Sequence, residues 1–153
     1  MSNVGDGTMS TENRILRIFL AEDNQADVYL VQMALQEHGV RFTLTSALDG
    51  EDAIRRMAAF QAADCPDIAL LDQNLPRVTG ERVMEVIRAH EHCGTIPIVI
   101  MSSSENRRDQ AMAQKFGATF FRKAANLNDF FELGAIVKDL CGQTKTNGAG
   151  PPS

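Results

Sequence analysis

The run Ile68-Ala69-Leu70-Leu71 offers no polar residue to water and stops on Asp72, ahead of the loop-like Gln73-Asn74-Leu75-Pro76. A strand with one wet face alternates in polarity, whereas an unbroken apolar run suits a parallel strand covered on both faces. Such a strand needs helices above and below it, which confines the chain to an α/β layer arrangement. In open sheets of that kind, ligands bind beyond the carboxyl ends of the strands. Asp72 therefore stands where chemistry is expected.

The rest of the chain repeats this unit. Ile15 to Leu20 reads as a first strand running into Ala21-Glu22-Asp23-Asn24, followed by Val28, Val31, Ala34 and Leu35 at helical spacing and a stop at His38-Gly39. Phe42 to Ala47 predicts a second strand, and Glu51 to Phe60 a helix with Ala53, Ile54 and Met57 on one stripe. Asp67 to Asp72 is the third strand, with a helix from Gly80 to about His90. Ile96 to Met101 is the fourth, ending in Ser102-Ser103-Ser104, with Ser104 read as a helix N-cap. Arg107 to Phe116 is helical, its first turn solvated, Thr119 to Arg122 is a short fifth strand, and Leu127 to Cys141 is a closing helix.

Five alternations with right-handed crossovers predict a doubly wound parallel sheet of the flavodoxin-like order 2-1-3-4-5. In that order Glu22, Asp23, Asp72, Ser102 and Lys123, distant in sequence, meet at one edge. We expect one domain over residues 14–142. The Gly-, Ser- and Thr-rich residues 1–13 read as a disordered lead and residues 143–153, with Pro151 and Pro152, as a disordered tail without an output domain.

A formal charge of −5 with scattered basic residues gives no electrostatic footprint for nucleic acid. No apolar run reaches half of the roughly 20 residues a spanning helix needs, which predicts a cytoplasmic protein away from the membrane. Cys65, Cys93 and Cys141 are odd in number, far apart and without a C-x-x-C pairing, and so read as reduced thiols. His90, His92 and Cys93 lack the second half of a metal site and read as a solvated helix end, and His38 as a cation at a helix C-terminus.

Three carboxylates near 5 Å apart at an effective dielectric of about 20 repel by roughly 3 kcal/mol per pair, so neutralisation is required. Lys123 can supply part of it and a divalent cation the rest. An all-oxygen donor set favours Mg²⁺ or Mn²⁺ over Zn²⁺. A carboxylate beside a metal, an ammonium and a hydroxyl suits a nucleophile toward phosphorus, with Ser102 and Lys123 meeting phosphoryl oxygens.

The segments Phe19-Leu20-Ala21-Glu22-Asp23-Asn24, Ala69-Leu70-Leu71-Asp72-Gln73-Asn74-Leu75-Pro76, Gly80, Met101-Ser102-Ser103, Gly117-Ala118 and Lys123 resemble the receiver domain of two-component response regulators. The pattern Glu-Asp-Asn-x-Ala-Asp with Asp-x-Asn-Leu-Pro is most similar to stand-alone regulators associated with phytochrome-type histidine kinases. The resemblance implies Asp72 as phosphoacceptor and Glu22 and Asp23 as the acidic pair holding the metal, with Asp72 itself. It implies Asn74 as a backbone-carbonyl ligand, Ser102 as switch hydroxyl, Phe120 as switch aromatic and Lys123 as the family's lysine. It also implies a sensor histidine kinase as partner and signalling by protein contact through the fourth helix, fifth strand and last helix.

Two departures bear on that picture. Ala124 stands where the family has a proline, so the aim of Lys123 is open, and a degenerate receiver working without phosphorylation is the alternative. Glu22 is a longer first acid, expected to reach the metal through water. Without a family, Phe120 reads as core. The last helix carries two apolar stripes, Leu127, Phe130, Gly134 and Val137, then Leu133, Ile136 and Leu140. That is more than sheet packing needs, so a homodimer or kinase contact is expected there, with Phe131 a second exposed candidate. A haloacid-dehalogenase-type phosphatase would need an acid at Asn74 to protonate its leaving group, and a nucleotide or flavin site would need a Gly-rich phosphate loop that the chain lacks.

Overall fold

The computed structural model describes residues 14–104, 106–124 and 126–149. In chain order the elements are β1 (Ile15–Ala21), α1 (Gln25–Glu37), β2 (Arg41–Ala47), α2 (Gly50–Ala59), a 3-10 turn (Ala62–Asp64), β3 (Ile68–Asp72) and α3 (Gly80–Arg88). They continue with β4 (Ile98–Ser102), α4 (Arg107–Lys115), β5 (Thr119–Arg122), α5 (Leu127–Phe130) and α6 (Glu132–Ala149). All strand pairs are parallel and the order is β2-β1-β3-β4-β5, the flavodoxin-like order expected.

Side chains alternate between the sheet's faces. Leu16, Ile18 and Leu20 of β1, Leu70 of β3, Val99 and Met101 of β4 and Phe121 of β5 pack with α1, α5 and α6. Phe19, Ala21, Ala69, Leu71, Ile98 and Ile100 pack with α2, α3 and α4. Every residue of β3 and β4 is buried, as their unbroken apolar runs require. The register pairs Ala21 with Leu71 and Asp72 with Met101, so these strands end together.

Several expectations are corrected. The closing helix is two helices: the Asn126 side chain caps α5, the chain turns at Phe131, and α6 continues to Ala149. Residues 143–149 are thus helical where a tail was expected, since no proline interrupts the ladder before Pro151. Residues 1–13 and 150–153 lie outside the described residues.

Nor does the second stripe of the last helix form a free face. Leu133 is fully buried, and Ile136, Leu140 and Phe131 pack against the first core cluster. The reason is Gly134, whose missing Cβ lets α6 press onto the Ala34 carbonyl and the His38 ring of α1 and so covers its flanks. Leu127, at 51 % exposure, is the apolar residue of this region left open. The stripe expected to carry a homodimer or kinase contact is therefore largely spent on packing against α1 and the sheet.

Asn106, not Ser104, caps α4, its side chain accepting from the Arg108 N–H, while Ser104 Oγ accepts from the Asn106 N–H at 2.9 Å. Cys65 and Cys93 are joined as a disulfide rather than reduced, because adjacent β3 and β4 bring the segments before them together. Cys141 is a buried free thiol, as expected. His90 folds back to accept from the N–H groups of His92 and Cys93, so this group closes a turn. His38 is the C-cap of α1, as expected. Among the described residues, no helix is long and apolar enough to cross a membrane.

Candidate functional site

Three acids of the site, Glu22, Asp23 and Asp72, follow or close the ends of β1 and β3. Glu22 follows β1, with its N–H bonded to the Ala47 carbonyl at 3.0 Å, and its side chain turns inward to 1 % exposure. Asp23, next along the chain, is exposed. Asp72 ends β3 at 6 % exposure, and its Oδ1 accepts from the Asn74 N–H at 3.0 Å. Oxygens of Glu22, Asp23 and Asp72 lie within 4.8 Å of one another, a group that could hold a metal ion. Gly80 shapes the floor, because a Cβ there would stand 2.7 Å from the Asp72 carbonyl oxygen.

Lys123 reaches into this group from the end of β5. Its N–H is held by the Ser102 carbonyl at 2.8 Å. Its Nζ donates to Glu22 Oε1 and to Asp27 Oδ2, both at 2.9 Å, and stands 3.5 Å from Asp72 Oδ2. The peptide to Ala124 is trans, since no cis bond occurs among the described residues. With Ala124 in that place, Lys123 still reaches Glu22, Asp27 and Asp72 through the contacts above.

Asp27 is the residue that sequence reasoning missed. It sits in the first turn of α1, which the Asn24 side chain caps by accepting from the Ala26 and Asp27 N–H groups. It belongs to the quoted Glu-Asp-Asn-x-Ala-Asp pattern, and the signal available was that helical turn, which puts it one step from Glu22. An acid there also suits the helix dipole.

The electrostatics follow from burial. Desolvation pushes Glu22 up to about 7, against the Lys123 hydrogen bond and charge that favour its ionised form. Burial acts against the Lys123 ammonium too, but hydrogen bonds to Asp27 and Glu22 and the charge of Asp72 outweigh it and raise its pKa. Both Glu22 oxygens are engaged, Oε1 by Lys123 and Oε2 by the Asn24 N–H at 3.1 Å.

The remaining predicted residues lie around this centre. Asn74 is exposed and touches Asp72 through its N–H. Ser102 is fully buried at the end of β4, where its hydroxyl donates to Asp109 Oδ2 of α4 at 3.3 Å and accepts from the Ser104 N–H at 3.0 Å. Phe120 is half-buried and packs on the α2–α3–α4 side of the sheet.

Oxygen donors with no imidazole or thiolate among them fit a hard divalent cation of the Mg²⁺ or Mn²⁺ kind. Four acids around one ammonium leave net negative charge, which such an ion would balance.

A family model for the response regulator receiver domain matches residues 18–133. Response regulator Rcp1 of Synechocystis is 29 % identical over 133 residues, covering 84 % of this chain and 90 % of that protein. Among solved structures, the phosphorylated cyanobacterial phytochrome response regulator RcpA is 31 % identical with a TM-score of 0.73, covering 85 % of this chain and 96 % of that one. The Mn²⁺-bound form of Rcp1 is 27 % identical with a TM-score of 0.72, covering 84 % and 96 %. The matched span runs from β1 into α6 and contains every acid of the cluster together with Lys123. The chain thus belongs to the response regulator receiver-domain family of two-component systems.

Proposed function

We propose that this chain accepts a phosphoryl group on Asp72 from a sensor histidine kinase and passes the signal on by protein contact. The observation that carries the reading is Lys123 Nζ placed 3.5 Å from Asp72 Oδ2 and bonded to Glu22, with Asp23 completing an oxygen cluster. An Asp72 oxygen would attack phosphorus as the bond from phosphorus to the donor nitrogen breaks, giving an acyl phosphate. Lys123 would meet the charge on one phosphoryl oxygen, and Ser102 would exchange its Asp109 bond for another. Mg²⁺ or Mn²⁺, held by Asp23, Asp72, Glu22 through water and the Asn74 carbonyl, would neutralise the transferring oxygens.

The Mn²⁺ of one neighbour and the phosphorylated state of another support this reading. The phytochrome associations of those relatives favour a phytochrome-type kinase as donor, and partnership with such kinases favours the cytoplasm. Phe120 is our choice of switch aromatic because it packs on the α4 side of the sheet and pairs in register with Ile100, two residues before Ser102 on β4. The reading with the site intact is preferred to a degenerate receiver because Lys123, followed by Ala124, still reaches Glu22, Asp27 and Asp72.

The test is intact mass after incubation with Mg²⁺ and acetyl phosphate. A phosphate-sized gain that vanishes in Asp72→Asn and with a chelator is expected. No gain in the unaltered protein, or an equal gain in Asp72→Asn, would remove Asp72 as acceptor and favour the phosphorylation-independent module.

A further inference from the structure

Cys65 and Cys93 lie just ahead of β3 and β4, at the sheet edge opposite Asp72, and their sulfurs are bonded with Cα atoms 5.6 Å apart. The two ends of this bond differ. Cys65 is half-buried, whereas Cys93 is 0 % exposed. His90 Nε2 stands 3.9 Å from Cys93 Sγ, and His90 Nδ1 accepts from the N–H groups of His92 and Cys93, both at 3.0 Å. A ring nitrogen that accepts hydrogen bonds carries no proton, so the imidazole proton sits on Nε2, beside the Cys93 sulfur.

We propose that Cys65–Cys93 is an exchangeable disulfide, opened by a dithiol reductant that attacks Cys65 and releases Cys93 toward His90. In the first step the reductant's thiolate bonds to Cys65 Sγ, the Cys65–Cys93 bond breaks, and its electron pair leaves on Cys93. His90 Nε2–H donates to the thiolate so formed, which makes Cys93 the better leaving group. In the second step the other thiol of the reductant, having lost its proton, attacks its partner sulfur and Cys65 leaves with the electron pair. Each cysteine thiolate then takes up a proton, so two electrons and two protons pass to the pair and the reductant ends as its own disulfide. The Gln61 carbonyl oxygen, 3.5 Å from Cys65 Sγ, can accept from the resulting thiol.

The cytoplasmic location proposed above points the same way, because disulfides there are mostly transient and redox-sensing rather than permanent. The bond ties the segment before β3 to the loop between α3 and β4, far from the acids, so opening it is a separate event from chemistry at Asp72.

The test uses the purified oxidised chain, dithiothreitol as dithiol, glutathione as a trapping monothiol, and alkylation read by peptide mass. We expect no labelling of Cys65 or Cys93 before reduction, and labelling of both afterwards with the circular dichroism of the folded protein retained. The glutathione adduct should be on Cys65, and His90→Ala should slow opening on the order of 3- to 10-fold. Labelling before reduction, a bond that opens only on unfolding, an adduct on Cys93, or an unchanged rate in a folded His90→Ala variant would each overturn the proposal. The adduct position reads the asymmetry on the unaltered chain, so the outcome does not depend on that variant folding.

Discussion

The two edges of the sheet handle charge in opposite ways. At the amino edge, ionic groups are closed off: Asp67 takes the Arg14 guanidinium at 3.1 Å and the Arg17 N–H at 2.7 Å. Arg88, whose pKa burial lowers, donates to the carbonyls of Phe116, Gly94, Ile96 and Gly117. At the carboxyl edge, Glu22, Asp23, Asp27 and Asp72 gather around Lys123. Charge matched group by group is architecture. A surplus of one sign held in a partly buried cleft stabilises nothing by itself and calls for a counterion from solution.

Removing the central ammonium should have the largest effect on the carboxyl edge. Lys123→Met leaves Glu22 and Asp27 without their ammonium and should lower stability by about 4 kcal/mol in the presence of a chelator. Denaturant unfolding should show Mg²⁺ restoring part of that loss, because the ion supplies charge to the same acids.

At the other edge, Arg88→Met orphans several carbonyl groups and should cost about 3 kcal/mol by the same measurement. Mg²⁺ should leave that loss unchanged, and phosphorylation should survive. A metal-sensitive Arg88 variant would mean that the edges are not separate.

A smaller effect is the pH dependence of Glu22. Its folded pKa, raised from 4.5 to about 7, means that the folded chain binds the proton more tightly than the unfolded one. Its contribution to stability is therefore full below pH 4.5 and is lost as pH rises through 7. Between pH 6 and 8 the metal-free protein should lose on the order of 1 kcal/mol from this group, and a Glu22→Gln variant should lack that component of the slope. A wild-type slope of the opposite sign over that window would contradict the burial argument.

These edges were unequally legible in the sequence. The carboxyl edge could be read because each parallel strand is an apolar run with a polar stop, so Glu22, Asp72 and Ser102 mark strand ends and the strand order places them together. Asp27 escaped because it reaches the site from a helix, where no strand-end rule applies. The amino edge was nearly silent. Cys65 and Cys93 are 28 residues apart and meet only through the β3–β4 pairing, which spacing rules for local cysteine pairs do not register. The last helix misleads because a wide apolar arc reads as exposure, whereas Gly134 lets α1 approach closely enough to cover Leu133. A backbone close approach depends on two helices at once and has no signature in either one alone.

Acids gathered at the carboxyl edge to hold a divalent cation must make the folded chain respond to that cation. Thermal unfolding during a Mg²⁺ titration tests that response most directly, with Asp23→Asn alongside, since Asp23 is the exposed member of the cluster and least bound into the fold. A saturable rise is expected for the unaltered chain, about 2.7 kcal/mol at a hundredfold excess over the dissociation constant, and a much weaker one for Asp23→Asn. No rise in the unaltered chain, or the same rise in both proteins, would contradict cation binding by these acids.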